Sequence, residues 1–173
     1  VRKPVKYCLT RAEETQYTTK RGAWTFEFRD GVKKDGRIVA RQVRSMHDTG
    51  AYSGMGPYVV DKNSILVAGP FFIPNIAIDG ACVYTNKPPA SSMRGFGIIN
   101  GTSAEQIQMD RIAEIIGMDP WEIRFINAWR DGDPGATRFT VEAAGLIEAM
   151  KRAAELAGVE LPARLKAMSS RGR

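Results

Sequence analysis

With 43% hydrophobic and 25% charged residues over 173 positions, the chain has ordinary globular composition, enough for one good core or two small ones. Its net charge of +6 gathers at the two ends (Arg2, Lys3, Lys6 and Arg11; Arg164, Lys166, Arg171 and Arg173) without a stripe of stacking aromatics, so no nucleic-acid partner is expected. No apolar run approaches the ~20 residues of a membrane-spanning helix, and the start lacks a signal peptide's layout, which predicts a soluble chain with no membrane partner.

Val1 to Leu9 (VRKPVKYCL) reads as an extended element entered midway, and the closing MSSRGR resolves into no element; a fragment of a longer chain is expected. Cys8 and Cys82 are too few for a disulfide framework and form no Cys-x-x-Cys pair, which predicts two buried or strand cysteines in a reducing, cytoplasmic setting. Trp24, Phe26 and Phe28 alternate with Thr25, Glu27 and Arg29, the pattern of a half-buried strand. Asp30 to Gly36 supplies a charged turn. Arg37 to Met46 then places Ile38, Ala40, Gln42 and Arg44 on one face and Val39, Arg41, Val43 and Ser45 on the other, so a hairpin is expected. His47 has no second ligand nearby and is assigned a structural role, with no metal site, while Asp48 and Tyr52 are expected to fix the following loop.

From Asp48 to Gly69 the glycines and Pro57 break any period, and a loop should lead into a short helix or buried segment near Ile65 to Ala68. PFFIPN makes a turn, and Ile76 to Asn86 a further strand. Then the period changes from two to 3.6. Thr102 and Glu105 have the spacing of a capping box for a helix carrying Ala104, Ile107, Ile112, Ile115 and Ile116. Asp119, Pro120 and Glu122 open a second helix to about Ala128. A third begins near Ala143 and carries Leu146, Ile147, Met150, Ala153 and Ala154 toward Gly158, with Glu148 and Arg152 spaced for an ion pair. The fold expected is α+β, with mixed or antiparallel strands in the first half and helices in the second.

Where the strand half meets the helix half stands PPASSMRGFG, Pro88 to Gly97. Gly95 and Gly97 flank Phe96, so the backbone can adopt positive φ on either side of a ring that would offer an aromatic face. Arg94 could bind a phosphate or carboxylate, or anchor the loop to a buried acid.

TNKPPASSMRGFG, with DTGAY and GPFFIPN before it and DPWEIRFINA after it, resembles the molybdopterin-binding large subunit of the xanthine dehydrogenase and aldehyde oxidase family of molybdenum hydroxylases. The likeness runs in order from about Pro4 to Ala128. It implies a partial molybdopterin-binding domain over residues 1–133, with 134–173 a helical segment of the same domain. It also implies a molybdopterin cofactor carrying molybdenum, in a dinucleotide form, with iron–sulfur clusters and FAD on other domains or subunits. The partners implied are the remaining segments of the molybdenum subunit, the iron–sulfur and FAD subunits, and a planar aromatic or aldehyde substrate.

By the same resemblance Met93, Arg94 and Gly95 pass beside the cofactor, and Phe96 stacks on substrate. Arg21 matches an arginine that binds substrate and stabilises developing negative charge; a solvated strand-end arginine is the alternative reading. Two departures stand out: Met93 takes the place of a phenylalanine, and Ile98 to Asn100 that of a Gly-Pro-Gln stretch. The glutamate base of such enzymes has no counterpart here, so hydroxylation is expected only in assembly with missing segments, and a non-catalytic subunit-interaction domain is the rival reading.

Overall fold

The structure is a computed structural model and describes residues 2–171. Residues 2–9 carry no strand, so the extended element expected of Val1 to Leu9 is absent over its described part, and Cys8 lies exposed rather than buried. The first element is instead a helix, α1 (Arg11–Tyr17), closed by a complete capping box: Glu13 N–H donates to Thr10 Oγ1, and Thr10 N–H to Glu13 Oε2 at 2.8 Å. The spacing that makes a capping box in this chain is therefore Thr10–Glu13, not the later pair that the sequence pattern suggests.

After β1 (Lys20–Arg21), strands β2 (Trp24–Val32) and β3 (Ile38–Gly50) form the expected hairpin, with Phe26 opposite Ser45 and Phe28 opposite Val43. The period-two pattern holds: Trp24, Phe26 and Phe28 are half-buried, while Thr25, Glu27 and Arg29 are exposed. On β3 the inward face is the one carrying Arg41, Val43, Ser45 and His47. Its extension to Gly50 takes in residues expected to be loop.

Helix α2 (Gly56–Leu66) starts at Gly56 with Pro57 in its first turn, so the pair that broke the strand period also opens the helix. It returns the chain to β4 (Ile76–Tyr84), which lies parallel to β3. The sheet order is thus β2-β3-β4, antiparallel then parallel, because a hairpin joins the first pair and a helix crosses over between the second. A separate two-stranded sheet pairs β1 in parallel with β5 (Ala90–Ser91).

Helix α3 (Ile98–Ile116) begins four residues before Thr102. The box expected at Thr102 and Glu105 does not form; Glu105 is an interior residue of the helix and points into the core. Rotation explains the difference: Gly101, Glu105, Met109, Ile112 and Ala113 make the buried face, leaving Ile107 and Ile115 outside at 57% and 83% exposure. Helix α4 (Pro120–Asn127) is as expected, with Asp119 Oδ1 accepting from the N–H groups of Trp121 and Glu122. Helix α5 (Leu146–Leu156) forms too, but Arg152 pairs with Glu155, and Glu148 instead accepts from Ser170. That contact ties down part of the terminal stretch for which the sequence offers no element, next to a short α6 (Ala163–Lys166); Gly172 and Arg173 lie outside the described residues.

A buried charge cluster joins sheet to helices. Arg41, 2% exposed, donates from Nε to Asp30 Oδ1 at 2.6 Å and from Nη1 to Glu105 Oε1 at 3.4 Å, with its guanidinium 5.5 Å from the Phe28 ring centre. Gln108 and Gln106 donate to the outer oxygens of Asp30 and Glu105. One buried cation facing two carboxylates leaves a charge in excess, and the more distant carboxyl resolves it: burial pushes Glu105 up to about 7 against the pull of Arg41.

Since that value is raised in the folded chain, the stability it contributes is complete below the ordinary carboxylate value of 4.5 and is lost as pH rises through 7. Urea unfolding at pH 5 and pH 8 is expected to give a loss on the order of 2–3 kcal/mol across that interval, less the background from other groups. Glu105→Gln should flatten the difference. An unchanged pH slope in Glu105→Gln would remove Glu105 as its source.

Candidate functional site

Two segments that lie 73 residues apart in the chain meet beside the helix half of the fold. Arg21 on β1 stands in register with Ser91 on β5, so the strand that carries the arginine lies against the strand that leads into the loop. Asp48 holds the approach from the other side. It draws on Lys87 Nζ, Thr85 Oγ1 at 2.6 Å and Gly50 N–H at 3.0 Å, and these partners, Lys87 foremost, bring its carboxyl down to about 2. The loop-fixing role expected of Asp48 is therefore present. That expected of Tyr52 is not: the residue is 72% exposed, and among the described residues it is its carbonyl oxygen that is used, by Thr49 Oγ1.

The loop itself is a left-handed turn. Gly95, Phe96 and Gly97 have φ of 98°, 49° and 91°, and Phe96 N–H donates to the Met93 carbonyl at 2.8 Å. A phenylalanine in this region carries backbone strain, which its neighbours must hold. Asn63 of α2 does so in part: fully buried, it donates from Nδ2 to the Gly97 carbonyl at 2.9 Å. At Gly97 a Cβ would come within 2.5 Å of the Val59 carbonyl oxygen, so α2 passes directly under the turn.

Arg21 reaches this same turn. Its Nη2 donates to the Arg94 carbonyl at 3.0 Å and its Nη1 to Asn100 Oδ1 at 3.2 Å. Hence Arg21, Arg94, Phe96 and Asn100 form one cluster, made from the residues that the sequence singled out separately plus one, Asn100, that it noted only as a departure. Met93 is 42% exposed and Arg94 is exposed, with no ion-pair partner among the described residues. The anchoring of Arg94 to a buried acid does not occur. Phe96 is half-buried and not the freely exposed ring that two flanking glycines suggest.

His47 is structural in its contacts. It is fully buried, its ring lies 4.7 Å from that of Trp24, and neither ring nitrogen has a hydrogen-bond partner among the described residues. Burial lowers its pKa. Gly22, next to Arg21, packs on it so closely that a Cβ there would fall 2.3 Å from His47 Nε2. The histidine is thus part of the bed on which β1 lies. Among the described residues no group of three His, Cys, Asp or Glu is placed to hold a metal ion.

Residues 1–128 match the model of the molybdopterin cofactor-binding domain. The chain belongs to that family. It is 40% identical over 157 residues to the nicotinate dehydrogenase large molybdopterin subunit of Eubacterium barkeri, which takes in 90% of this chain and 37% of that one. It is 37% identical over 133 residues to a probable xanthine dehydrogenase subunit of Bacillus subtilis, covering 77% and 18%. Among solved structures, the aldehyde oxidoreductase of Desulfovibrio gigas superposes with a TM-score of 0.76 at 32% identity, over 84% of this chain and 16% of that one. The chain therefore spans just over a third of the first of these relatives and under a fifth of the others, and its α+β architecture is that of the corresponding part of a molybdopterin-binding domain.

Gly97→Ala is expected to destabilise the chain by roughly 2 kcal/mol or more, since the substitution combines an unfavourable φ with a clash against backbone. Thermal or urea denaturation measures it; a loss under about 0.5 kcal/mol would mean that the turn relaxes freely.

Proposed function

We propose that the chain supplies the Met93–Gly97 turn to a molybdopterin site and works as part of a molybdenum hydroxylase acting on a planar aromatic heterocycle or an aldehyde. The observation that carries this reading is the hydrogen bond from Arg21 to the Arg94 carbonyl, which fastens the proposed substrate-facing arginine to the proposed cofactor-facing loop. The turn suits the cofactor in kind. Among the described residues Arg94 has no carboxylate partner and Arg21 only neutral ones, so two guanidinium charges stand at the loop, matching an anionic, phosphate-bearing pterin.

When bound, the molybdenum cofactor, in its dinucleotide form, supplies the two-electron centre for hydroxylation with a water-derived oxygen, and iron–sulfur clusters and FAD on other domains or subunits carry the electrons away. The chain's own part is positional. Met93, Arg94 and Gly95 run beside the pterin on a backbone fixed by Asn63 and Arg21. Phe96 presents its ring edge or face to the substrate, and Arg21 lends its charge to the oxygen or nitrogen on which negative charge develops. A glutamate base and further pterin donors come from other segments of the subunit in the cytoplasm, so the 173-residue chain by itself is expected to turn over neither substrate class; oxidation by the purified chain would overturn this assembly.

In the assembled enzyme, Phe96→Ala is expected to lower kcat/KM for planar aromatic substrates about three- to tenfold more than for small aldehydes, the worth of one stacking contact. Paired steady-state kinetics on both classes checks it. An equal loss on both, or a fall in molybdenum content alone, assigns Phe96 to the shape of the turn and removes its substrate role.

A further inference from the structure

The single histidine of the chain sits where a charge is costly to place. His47 is fully buried, and neither Nδ1 nor Nε2 has a partner among the described residues. A neutral imidazole leaves one donor and one acceptor unmet there; an imidazolium would leave two donors and a charge. Trp24 on β2 and Cys82 on β4 flank the residue in register, both within the three-stranded sheet. Gly22 covers the ring from β1, with its backbone against Nε2 and Cδ2. That cover is the weakest wall, since β1 has two residues and pairs with the two of β5 alone. The neighbouring charges do not relieve a proton on the ring. Asp48 favours one, but burial outweighs its pull, and its carboxylate is taken by Lys87, Thr85 and Gly50. From β1, Lys20 Nζ turns to Glu14 and Thr18, and the Arg21 guanidinium to Asn100 and the Arg94 carbonyl.

We propose that His47 is a proton-operated latch beneath β1: uptake of a proton lifts Lys20–Gly22 from the ring and draws Arg21 off the Arg94 carbonyl, so that the turn is fastened from this side only while the imidazole is neutral. Burial holds the ring below its ordinary value of 6.5, so the docked state has its full advantage above 6.5 and loses it progressively as pH falls to and through the lowered value. The inference adds a regulation to the proposed site, and its consequence for catalysis rests on the reading of Arg21 as substrate-facing. Docking of β1 does not rest on that reading. A latch that titrates while substrate oxidation by the assembled enzyme ignores it would remove the role of Arg21 and leave the latch standing.

The test is an NMR pH titration of the isotope-labelled 173-residue chain, in which every imidazole signal belongs to His47. The ring is expected to titrate below 6.5. With the same midpoint the Gly22 amide should shift, the nuclear Overhauser contact from His47 Hδ2 to the Gly22 α-protons should fade, and the Arg94 carbonyl carbon should move as it loses its donor. The undocked-to-docked ratio should rise about three- to tenfold between about pH 7 and about pH 5.5. The amides of Phe26 and Phe28 should stay in place, which separates the latch from Glu105, whose titration has the opposite sign and lies on the buried face of α3. His47→Gln, neutral throughout, should keep the Arg94 carbonyl flat over the same interval; a pH dependence that persists in it counts against the latch. Where that variant fails to fold, the wild-type chain decides alone. An imidazole midpoint at or above 6.5, no imidazole titration down to about pH 5, or a titration that leaves Gly22 and Arg94 unmoved would overturn the proposal.

Discussion

Arg41 is the point on which the fold turns. A guanidinium at 2% exposure is tolerable only because Asp30, from its own hairpin, lies 2.6 Å away, and because Glu105 and the Phe28 ring complete its surroundings. Asp30 lies near the end of β2, Arg41 sits on β3 and Glu105 faces inward from α3, so the cluster fixes the rotation of α3 against the hairpin. That rotation decides which face of α3 is core. The left-handed turn ends at Gly97, the residue just before this helix.

The same dependence explains what could and could not be read along the chain. Strand β2 was legible because its alternation of Trp24, Phe26 and Phe28 with polar residues is a local property, as is the Asp119–Pro120–Glu122 signature of α4. The rotation of α3 was not. Its apolar residues suggest a stripe through Ile107 and Ile115, but the fold turns Glu105 inward to accept from Arg41 Nη1 and leaves those isoleucines exposed. Thr102 and Glu105 likewise have cap spacing, and long-range pairing overrides it. The pairing of Arg21 with the Arg94 carbonyl spans 73 residues and leaves no trace in either local pattern, so each residue could be nominated separately while their meeting could not.

The site also shows why the loop needs support from three directions. A left-handed phenylalanine between two left-handed glycines would relax if free. Asn63 binds the Gly97 carbonyl from beneath, Arg21 binds the Arg94 carbonyl from the side, and Asp48 fixes Lys87 at the entrance through its strong charge pairing. The local pattern credits the prolines and glycines with shaping the loop. They permit its path; the polar side chains select it.

This division of labour bears on how the turn can be pre-formed. The constraints on the turn come from α2, β1 and the end of β3, which all lie within this chain, so its shape does not wait for a cofactor. What is left uncompensated among the described residues is charge: neither the Arg21 nor the Arg94 guanidinium has a carboxylate partner there. Geometry held from within and electrostatics left open to be answered from outside is the arrangement that lowers the ordering cost of binding an anion, because the donors are already in place when it arrives.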